Sequence, residues 1–144
     1  MVQFNFADYT PDYFHKVNDF WINNDLGGSF RGDNAEIIES TLSFGGHLVI
    51  MIGVNDNVIG TCWMTNDKRR TYIHHFGIDK EYRGKGLARK LMEHCMQIAI
   101  KDGYQVKLEV HKTNEAAKNL YKSFGFNYLG DYEVLIKRNL HSEE

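Results

Sequence analysis

Tyr72–Ala88 reads Tyr-Ile-His-His-Phe-Gly-Ile-Asp-Lys-Glu-Tyr-Arg-Gly-Lys-Gly-Leu-Ala and is the most informative segment of the chain. It predicts a strand that runs into a glycine-rich turn and continues directly as a helix. That order brings unsatisfied backbone N–H groups and the positive end of a helix dipole to one point, which attracts phosphate. The first hypothesis is therefore a site for a phosphate-bearing cofactor.

Two features of the turn favour this hypothesis over a plain structural turn. Gly84 and Gly86 lack a Cβ, so the backbone can approach a ligand closely. Positive charge is also concentrated around them. The cations are Lys80, Arg83, Lys85, Arg89 and Lys90. The alternative, a tight strand-to-helix turn with a solvated basic face, accounts for the glycines alone but less well for this density of charge.

Two common phosphate motifs do not fit the turn. A Walker loop requires Gly-Lys followed by Ser or Thr, whereas Gly86 is followed by Leu87. A dinucleotide fingerprint requires a third glycine or alanine, and position 89 is Arg. A nucleotide-binding module is therefore disfavoured.

The rest of the chain predicts one mixed α/β domain over residues 1–144. Three consecutive strands form an antiparallel meander, and a strand–helix–strand crossover adds a parallel strand to the same sheet. About four helices flank this sheet. The predicted strands are Val2–Phe6 at one edge, His47–Val54, Val58–Thr65, Thr71–Ile78 and the run Val106–Val110. The predicted helices begin at Thr10-Pro11, Asp33, Gly86 and Asn114.

The C-terminal region predicts a closing hairpin. Phe126–Leu129 and Glu133–Ile136 flank Gly130-Asp131, which is typical of a turn between two strands. An exposed edge strand there could pair across a homodimer.

Composition excludes several other classes of protein. The formal net charge of −2 gives no general attraction to nucleic acid. No basic-then-apolar leader or membrane-length apolar run is present, so we expect no membrane association and a cytoplasmic location. Cys62 and Cys95 predict buried thiols rather than a disulfide framework or metal ligands, and we expect no bound metal.

Two motifs make the resemblance to a family specific. Glu81–Ala88 resembles the acetyl-CoA pyrophosphate loop of the GCN5-related N-acetyltransferases (GNAT), which has the form Gln/Arg-x-x-Gly-x-Gly/Ala, with Glu81 departing at the first position. Asn114–Phe126 resembles the Asn-x-x-Ala-x-x-Leu-Tyr-x-x-x-Gly-Phe segment of the same family. Either motif alone would be a moderate signal.

The resemblance implies a set of site residues. Backbone N–H groups would hold the pyrophosphate of acetyl-CoA (coenzyme A) at Arg83, Gly84, Lys85, Gly86, Leu87 and Ala88. The pantetheine would lie along the backbone of Phe76, Gly77 and Ile78, with the Ile78 N–H near the thioester carbonyl as an oxyanion donor. Asn114 would reach the pantetheine or the attacking region, and Tyr121 would protonate the departing thiolate. Without the resemblance, Asn114 is a helix cap and Tyr121 a core tyrosine.

The general base is left open by the sequence. Residues 72, 74, 76 and 78 are expected to share one strand face, which carries His74 and Tyr72 but no carboxylate. His74 suits the role, since an unperturbed histidine has a pKa of about 6.5. His75 is expected on the opposite face. The alternative is that His74 only lines a wet cleft and that water relays the proton.

Substrate contacts are expected from the first two helices and their connecting loop. Trp21, Asp25, Phe30 and Arg31 lie there, and an aromatic pair with an acid could hold an amine. Trp21 alternatively belongs to the helix core.

The sequence thus predicts an acetyl-CoA-dependent N-acetyltransferase. A primary amine, carried by a small molecule or a peptide, would attack the thioester directly within a ternary complex. The alternative is a non-catalytic acyl-CoA-binding or sensing module on the same fold, which would not need the Tyr121 hydroxyl.

Overall fold

A five-stranded sheet dominates the computed structural model, which describes residues 1–141. Its strands lie in the order β1-β2-β3-β4-β5, and only the β4–β5 pair is parallel. The strands are β1 Asn5–Asp8, β2 His47–Ile52, β3 Val58–Asn66, β4 Arg70–Ile78 and β5 Gln105–Leu108. The α-helices are α1 Phe14–Asn23, α2 Ala35–Ser43, α3 Leu87–Asp102 and α4 Glu115–Ser123. The predicted meander and parallel crossover are therefore confirmed.

The chain forms two compact units. The first is Met1–Glu109, which contains the whole sheet with α1, α2 and α3. The second begins at Val110 and contains α4. The strand-turn-helix segment Tyr72–Ala88 lies entirely in the first unit.

Two apolar layers pack on the two faces of the sheet in the first unit. On one face, Trp21 of α1 stacks on Trp63 of β3 with ring centroids 5.4 Å apart, and Ile38 of α2 joins the same cluster. On the other face, the thiols of Cys62 in β3 and Cys95 in α3 contact each other and are fully buried. The predicted core role of both cysteines is confirmed.

The parallel pairing between β4 and β5 is short. It runs from Arg70 opposite Gln105 to Ile73 opposite Leu108, where β5 ends. β4 continues to Ile78 while pairing with β3 on its other side. The second half of β4 therefore extends beyond the end of β5, and this is the half that carries Phe76, Gly77 and Ile78.

Several predicted boundaries differ from the structure by a few residues, and two of these differences have a clear physical cause. The edge strand is Asn5–Asp8, because these residues pair with β2, whereas Val2–Phe6 was expected. The second helix begins at Ala35 rather than Asp33. Its cap is Asn34, whose side chain accepts a hydrogen bond from the Ile37 N–H at 2.9 Å, so the Asp33 carboxylate is used elsewhere.

The predicted closing hairpin is wrong. Neither Phe126–Leu129 nor Glu133–Ile136 forms a strand within the part of the chain that the structure describes. Such apolar segments form a strand only when a partner pairs the backbone and one face is buried. Here Val134, Leu135 and Ile136 are all at least 70% exposed, so neither condition is met. The homodimer expected through this edge stays a prediction.

Candidate functional site

The turn after β4 has the backbone geometry of an open cradle. The Asp79 carboxylate accepts the Glu81 N–H at 2.9 Å and caps a single 3₁₀ turn, Lys80–Tyr82. Gly84 and Gly86 then adopt φ of +76° and +79°, which residues with a Cβ rarely reach. A Cβ at either glycine would meet no atom within 4 Å. The glycines are thus required by conformation, and the loop leaves space beside them.

The N-terminus of α3 completes the cradle. Gly86 is its N-cap and Leu87 its first residue, with the Leu87 side chain 3% exposed in the core. The first-turn N–H groups of a helix have no intrahelical acceptor, so they are available to an anion at the positive end of the dipole. Lys85 lies exposed on the loop, whereas Arg83 donates from Nε to the Ile78 carbonyl at 3.0 Å. The predicted pyrophosphate residues therefore lie in one segment, formed by the glycine loop and the first two residues of α3.

A β-bulge interrupts β4 in the middle of the candidate site. His74 pairs with Trp63 and Gly77 pairs with Thr61, so His75 and Phe76 together oppose one residue of β3. His75 adopts φ of +49°, the left-handed conformation that accommodates the extra residue. The alternation of side chains is therefore reset between His74 and Gly77.

The bulge corrects two predictions about strand faces. Tyr72 and His74 share a face, but Ile78 pairs with Gly60 and so lies on the opposite face, which α3 covers. His75 was expected opposite His74. Instead its ring lies 4.8 Å from the Trp21 ring and 5.5 Å from the Trp63 ring, on the same side of the sheet as His74.

His74 lies in an environment that favours a neutral imidazole. Its Nε2 is 2.9 Å from Thr65 Oγ1, and its ring stacks near Tyr72 with centroids 6.1 Å apart. Desolvation is the main reason that the pKa of His74 is lowered from its usual value, and repulsion from His75 adds to it. A neutral ring can accept a proton, so His74 keeps the property required of a base.

Two carboxylates that the sequence analysis missed act on this face. Glu109 follows β5 and Asp33 precedes α2, and both raise the pKa of His74 without overcoming desolvation. Because Tyr72 pairs with Lys107 in the parallel register, Glu109 is level with His74. A prediction of this register from the sequence would have indicated Glu109. No sequence signal marked Asp33, because its position depends on the bulge.

Asp33 forms a hydrogen bond with the bulged histidine. Its Oδ2 lies 2.8 Å from His75 Nε2 and also accepts the Gly28 N–H at 3.0 Å. The two side chains are only 19% and 21% exposed. Below them, Thr61 Oγ1 donates to the His75 carbonyl at 2.7 Å and accepts from Trp21 Nε1 at 3.0 Å. A buried polar network thus supports the bulge.

The predicted substrate residues separate into core and surface. Trp21 is fully buried, so its alternative assignment to the helix core is correct. Asp25 and Phe30 are exposed on the α1–α2 loop, Asn24–Asn34, and the Arg31 guanidinium lies 5.4 Å from the centre of the Phe30 ring. Of these four residues, therefore, only the three on the loop can contact a substrate.

The second unit carries the other two predicted site residues. The Asn114 side chain accepts the Ala117 N–H at 3.1 Å and caps α4, which confirms its capping role. Tyr121 is 8% exposed, and its ring lies 5.9 Å from that of Phe126. The cofactor roles of both residues stay predictions.

Comparison with known proteins identifies the family. A family model described as "Acetyltransferase (GNAT) family" matches residues 7–126. The chain belongs to the GNAT acetyltransferase family. The match includes both the glycine loop and the segment from Asn114 to Phe126, so the resemblance seen in the sequence is confirmed.

Relatives of this GNAT chain are N-acetyltransferases by name. It is 30% identical over 109 residues to human N-acetyltransferase 8B, covering 71% of this chain and 48% of the relative. It is 35% identical over 99 residues to the probable N-acetyltransferase san of Drosophila melanogaster, covering 65% and 54%. The chain thus spans about half the length of these curated relatives.

Solved structures share the GNAT fold. An acetyltransferase of Staphylococcus aureus Mu50 superposes with a TM-score of 0.75 at 20% identity, over 91% of this chain and 90% of the other. A GNAT acetyltransferase of Elizabethkingia anophelis with acetyl-CoA bound gives 0.60 at 16% identity, over 86% and 76%. No helix within residues 1–141 is long and apolar enough to cross a membrane.

Proposed function

We propose that this GNAT chain transfers an acetyl group from acetyl-CoA to a primary amine within a ternary complex. The observation that carries the proposal is the open cradle formed by Arg83–Ala88 at the N-terminus of α3. Its two left-handed glycines, open space and helix dipole suit a pyrophosphate. A GNAT structure with acetyl-CoA bound is among the relatives of similar fold, which supports the choice of cofactor.

The second half of β4 is assigned to the pantetheine. Beyond Ile73 this strand is not paired with β5, so we assign the pantetheine amides to its backbone along Phe76–Ile78, with Phe76 and Ile78 as their partners. The reactive carbonyl then lies near the Ile78 N–H. This donor stabilises the negative charge that develops on the carbonyl oxygen during attack.

The reaction is a direct displacement. The amine nitrogen forms a bond to the thioester carbon, and the carbon–sulfur bond then breaks to release the thiolate of coenzyme A. The attacking nitrogen loses a proton to His74, directly or through water, with Tyr72 beside it. Tyr121 matches the tyrosine of the family motif and is therefore assigned to donate a proton to the thiolate. The products are an N-acetyl amide and coenzyme A.

His74 is preferred over His75 as the proton acceptor. His74 is the more accessible of the two residues, and its partly desolvated ring has a pKa below its usual value, so the imidazole is neutral at neutral pH. His75 is less accessible and already holds Asp33. Glu109 contributes negative charge that stabilises His74 after it has accepted the proton.

The acceptor is proposed to be a small-molecule or peptide amine that contacts the α1–α2 loop around Asp25 and Phe30. The names of the relatives favour an enzyme over a non-catalytic acyl-CoA sensor.

The test is a coenzyme A release assay over a panel of polyamines, amino acids, aminoglycosides and peptides with free amino termini. Calorimetry with acetyl-CoA is run in parallel. The proposal requires binding of acetyl-CoA and release of coenzyme A that depends on an amine. Binding without turnover on any amine would favour the sensor, and absence of binding would refute the cofactor assignment.

A further inference from the structure

The α1–α2 loop is fastened to the end of β4 at three points. The first is Asn24, which is 8% exposed although it lies at the end of α1. Its Nδ2 donates to the Asp79 carboxylate at 3.3 Å, and its Oδ1 accepts the Lys80 N–H at 3.1 Å. The start of the loop is therefore fixed to the residues that lead into the glycine cradle.

The second point is a close apolar contact. A Cβ at Gly77 would lie 2.9 Å from Leu26 Cδ1, so the Leu26 side chain occupies the space above this part of β4. The Leu26 N–H in turn donates to the Trp21 carbonyl at 2.8 Å, which continues the loop from α1. Leu26 thus lies against the strand segment assigned to the pantetheine.

The third point is the Asp33–His75 hydrogen bond at the end of the loop. A Cβ at Gly27 would lie 2.6 Å from Asp33 Oδ2 and 2.9 Å from His75 Nε2. The loop backbone therefore packs directly on the pair. Because His75 is the bulged residue with φ of +49°, the bulge turns its ring towards the loop. We call these three contacts together the loop clasp.

We propose that His75 and Asp33 are positioning residues that hold the α1–α2 loop over the reactive half of β4 and so determine affinity for the acceptor amine. The inference rests on the proposed function, since it assigns the loop to acceptor binding. It predicts a division of effects: loss of the pair raises KM for the amine, whereas acetyl-CoA affinity and kcat change little. His75 does not itself need to contact the substrate.

Limited proteolysis measures the clasp independently of activity. Arg31 is the only lysine or arginine in Asn24–Asn34, and it is exposed. Trypsin cleavage after Arg31 in the native protein therefore reports how often the loop opens. Asp33→Ala and His75→Asn should each speed this cleavage by about tenfold, the scale expected when a hydrogen bond to a carboxylate is lost. Asparagine is chosen at position 75 because it tolerates the left-handed conformation.

A matched control exists in the same unit. His47 and Asp102 form a second histidine–aspartate pair at 2.9 Å with side chains 33% and 25% exposed, and neither belongs to the candidate site. Asp102→Ala should alter neither cleavage after Arg31 nor KM. Asp33→Asn keeps an oxygen that can accept both hydrogen bonds, so it should restore most of the protection lost in Asp33→Ala.

The kinetic arm uses the best amine from the panel. Asp33→Ala and His75→Asn should raise its KM about tenfold, with kcat and the calorimetric affinity for acetyl-CoA within about twofold of the parent protein. An unchanged rate of cleavage after Arg31 in both variants would show that the loop clasp does not hold the loop closed. Faster cleavage with an unchanged KM would overturn its role in acceptor binding. A parent protein that binds acetyl-CoA but acetylates no amine would overturn the proposed function and this role with it, whereas proteolysis would still decide whether the clasp exists.

Discussion

Replacing Thr61 with valine tests the buried network that supports the bulge in β4. Thr61 is fully buried, and its hydroxyl accepts from Trp21 Nε1 at 3.0 Å and donates to the His75 carbonyl at 2.7 Å. Valine has nearly the same shape but no hydroxyl. Thr61→Val therefore leaves one buried donor and one acceptor without this partner while the packing is kept.

The cost follows from the two groups left unsatisfied. A buried polar group without a partner costs about 1–3 kcal/mol, and the indole N–H of the fully buried Trp21 cannot turn to water. The His75 carbonyl is less isolated, so we expect a total of about 2–4 kcal/mol. That is a large share of a typical free energy of unfolding of about 5–15 kcal/mol. At about 2–4 °C per kcal/mol for a chain of this size, Tm should fall by about 4–16 °C.

Thr71 provides the matched control. It is 1% exposed, and within the described residues its hydroxyl has no hydrogen-bond partner. Thr71→Val should therefore be neutral or stabilising. Urea unfolding followed by tryptophan fluorescence measures both variants, since Trp21 and Trp63 both report on the first unit. A cost for Thr61→Val no larger than that for Thr71→Val would refute the reasoning.

Three further predictions concern the proposed chemistry. Gly86→Val should weaken acetyl-CoA binding at least tenfold by calorimetry. Gly103, at the far end of α3, is also at positive φ with open space beside it, so Gly103→Val should affect only stability, and an equal loss of affinity in both variants would contradict the cradle. Tyr121→Phe should lower kcat more than acetyl-CoA affinity in parallel steady-state and calorimetric measurements, and an unchanged kcat would remove the acid role. Because the pKa of His74 lies below its ordinary value of 6.5, the rate should fall only as pH drops below about 6.5. His74→Gln should flatten that acid limb of the pH–rate profile, and a retained limb would indicate another base.

Local sequence patterns were sufficient where one element determines its own geometry. The glycine turn and the N-cap at Asn114 were predicted because φ preference and capping act within a few residues. The β4-α3-β5 crossover followed from strand and helix periodicity. The closing hairpin failed because a turn at Gly130-Asp131 between apolar residues is only a local signal, whereas in the structure residues 128–129 and 134–136 remain exposed and pair with no strand of the described chain.

The site was harder to predict because the bulge is not marked in the sequence. A left-handed residue is usually glycine; histidine is one of the few others that adopt this conformation, but nothing in the sequence distinguishes His75 from His74 in this respect. The side chains of β4 therefore change faces at a point that the sequence does not mark. For this reason His75 and Ile78 were predicted on the wrong faces. Asp33 was assigned to the start of a helix because its true partner lies 42 positions away in the chain.

The bulge has a consequence for protein engineering. The α1–α2 loop fits only a strand that carries an extra residue at position 75, since Asp33 needs a ring presented from that point. Exchanging this loop between family members to change acceptor preference would therefore require that residues 24–34 be transplanted together with the bulged segment 74–77. Deleting His75 would leave Phe76 alone opposite Cys62 and so give a regular strand, with His74 still opposite Trp63 and Gly77 still opposite Thr61; the sheet would keep its register, but the loop would lose the ring that binds Asp33.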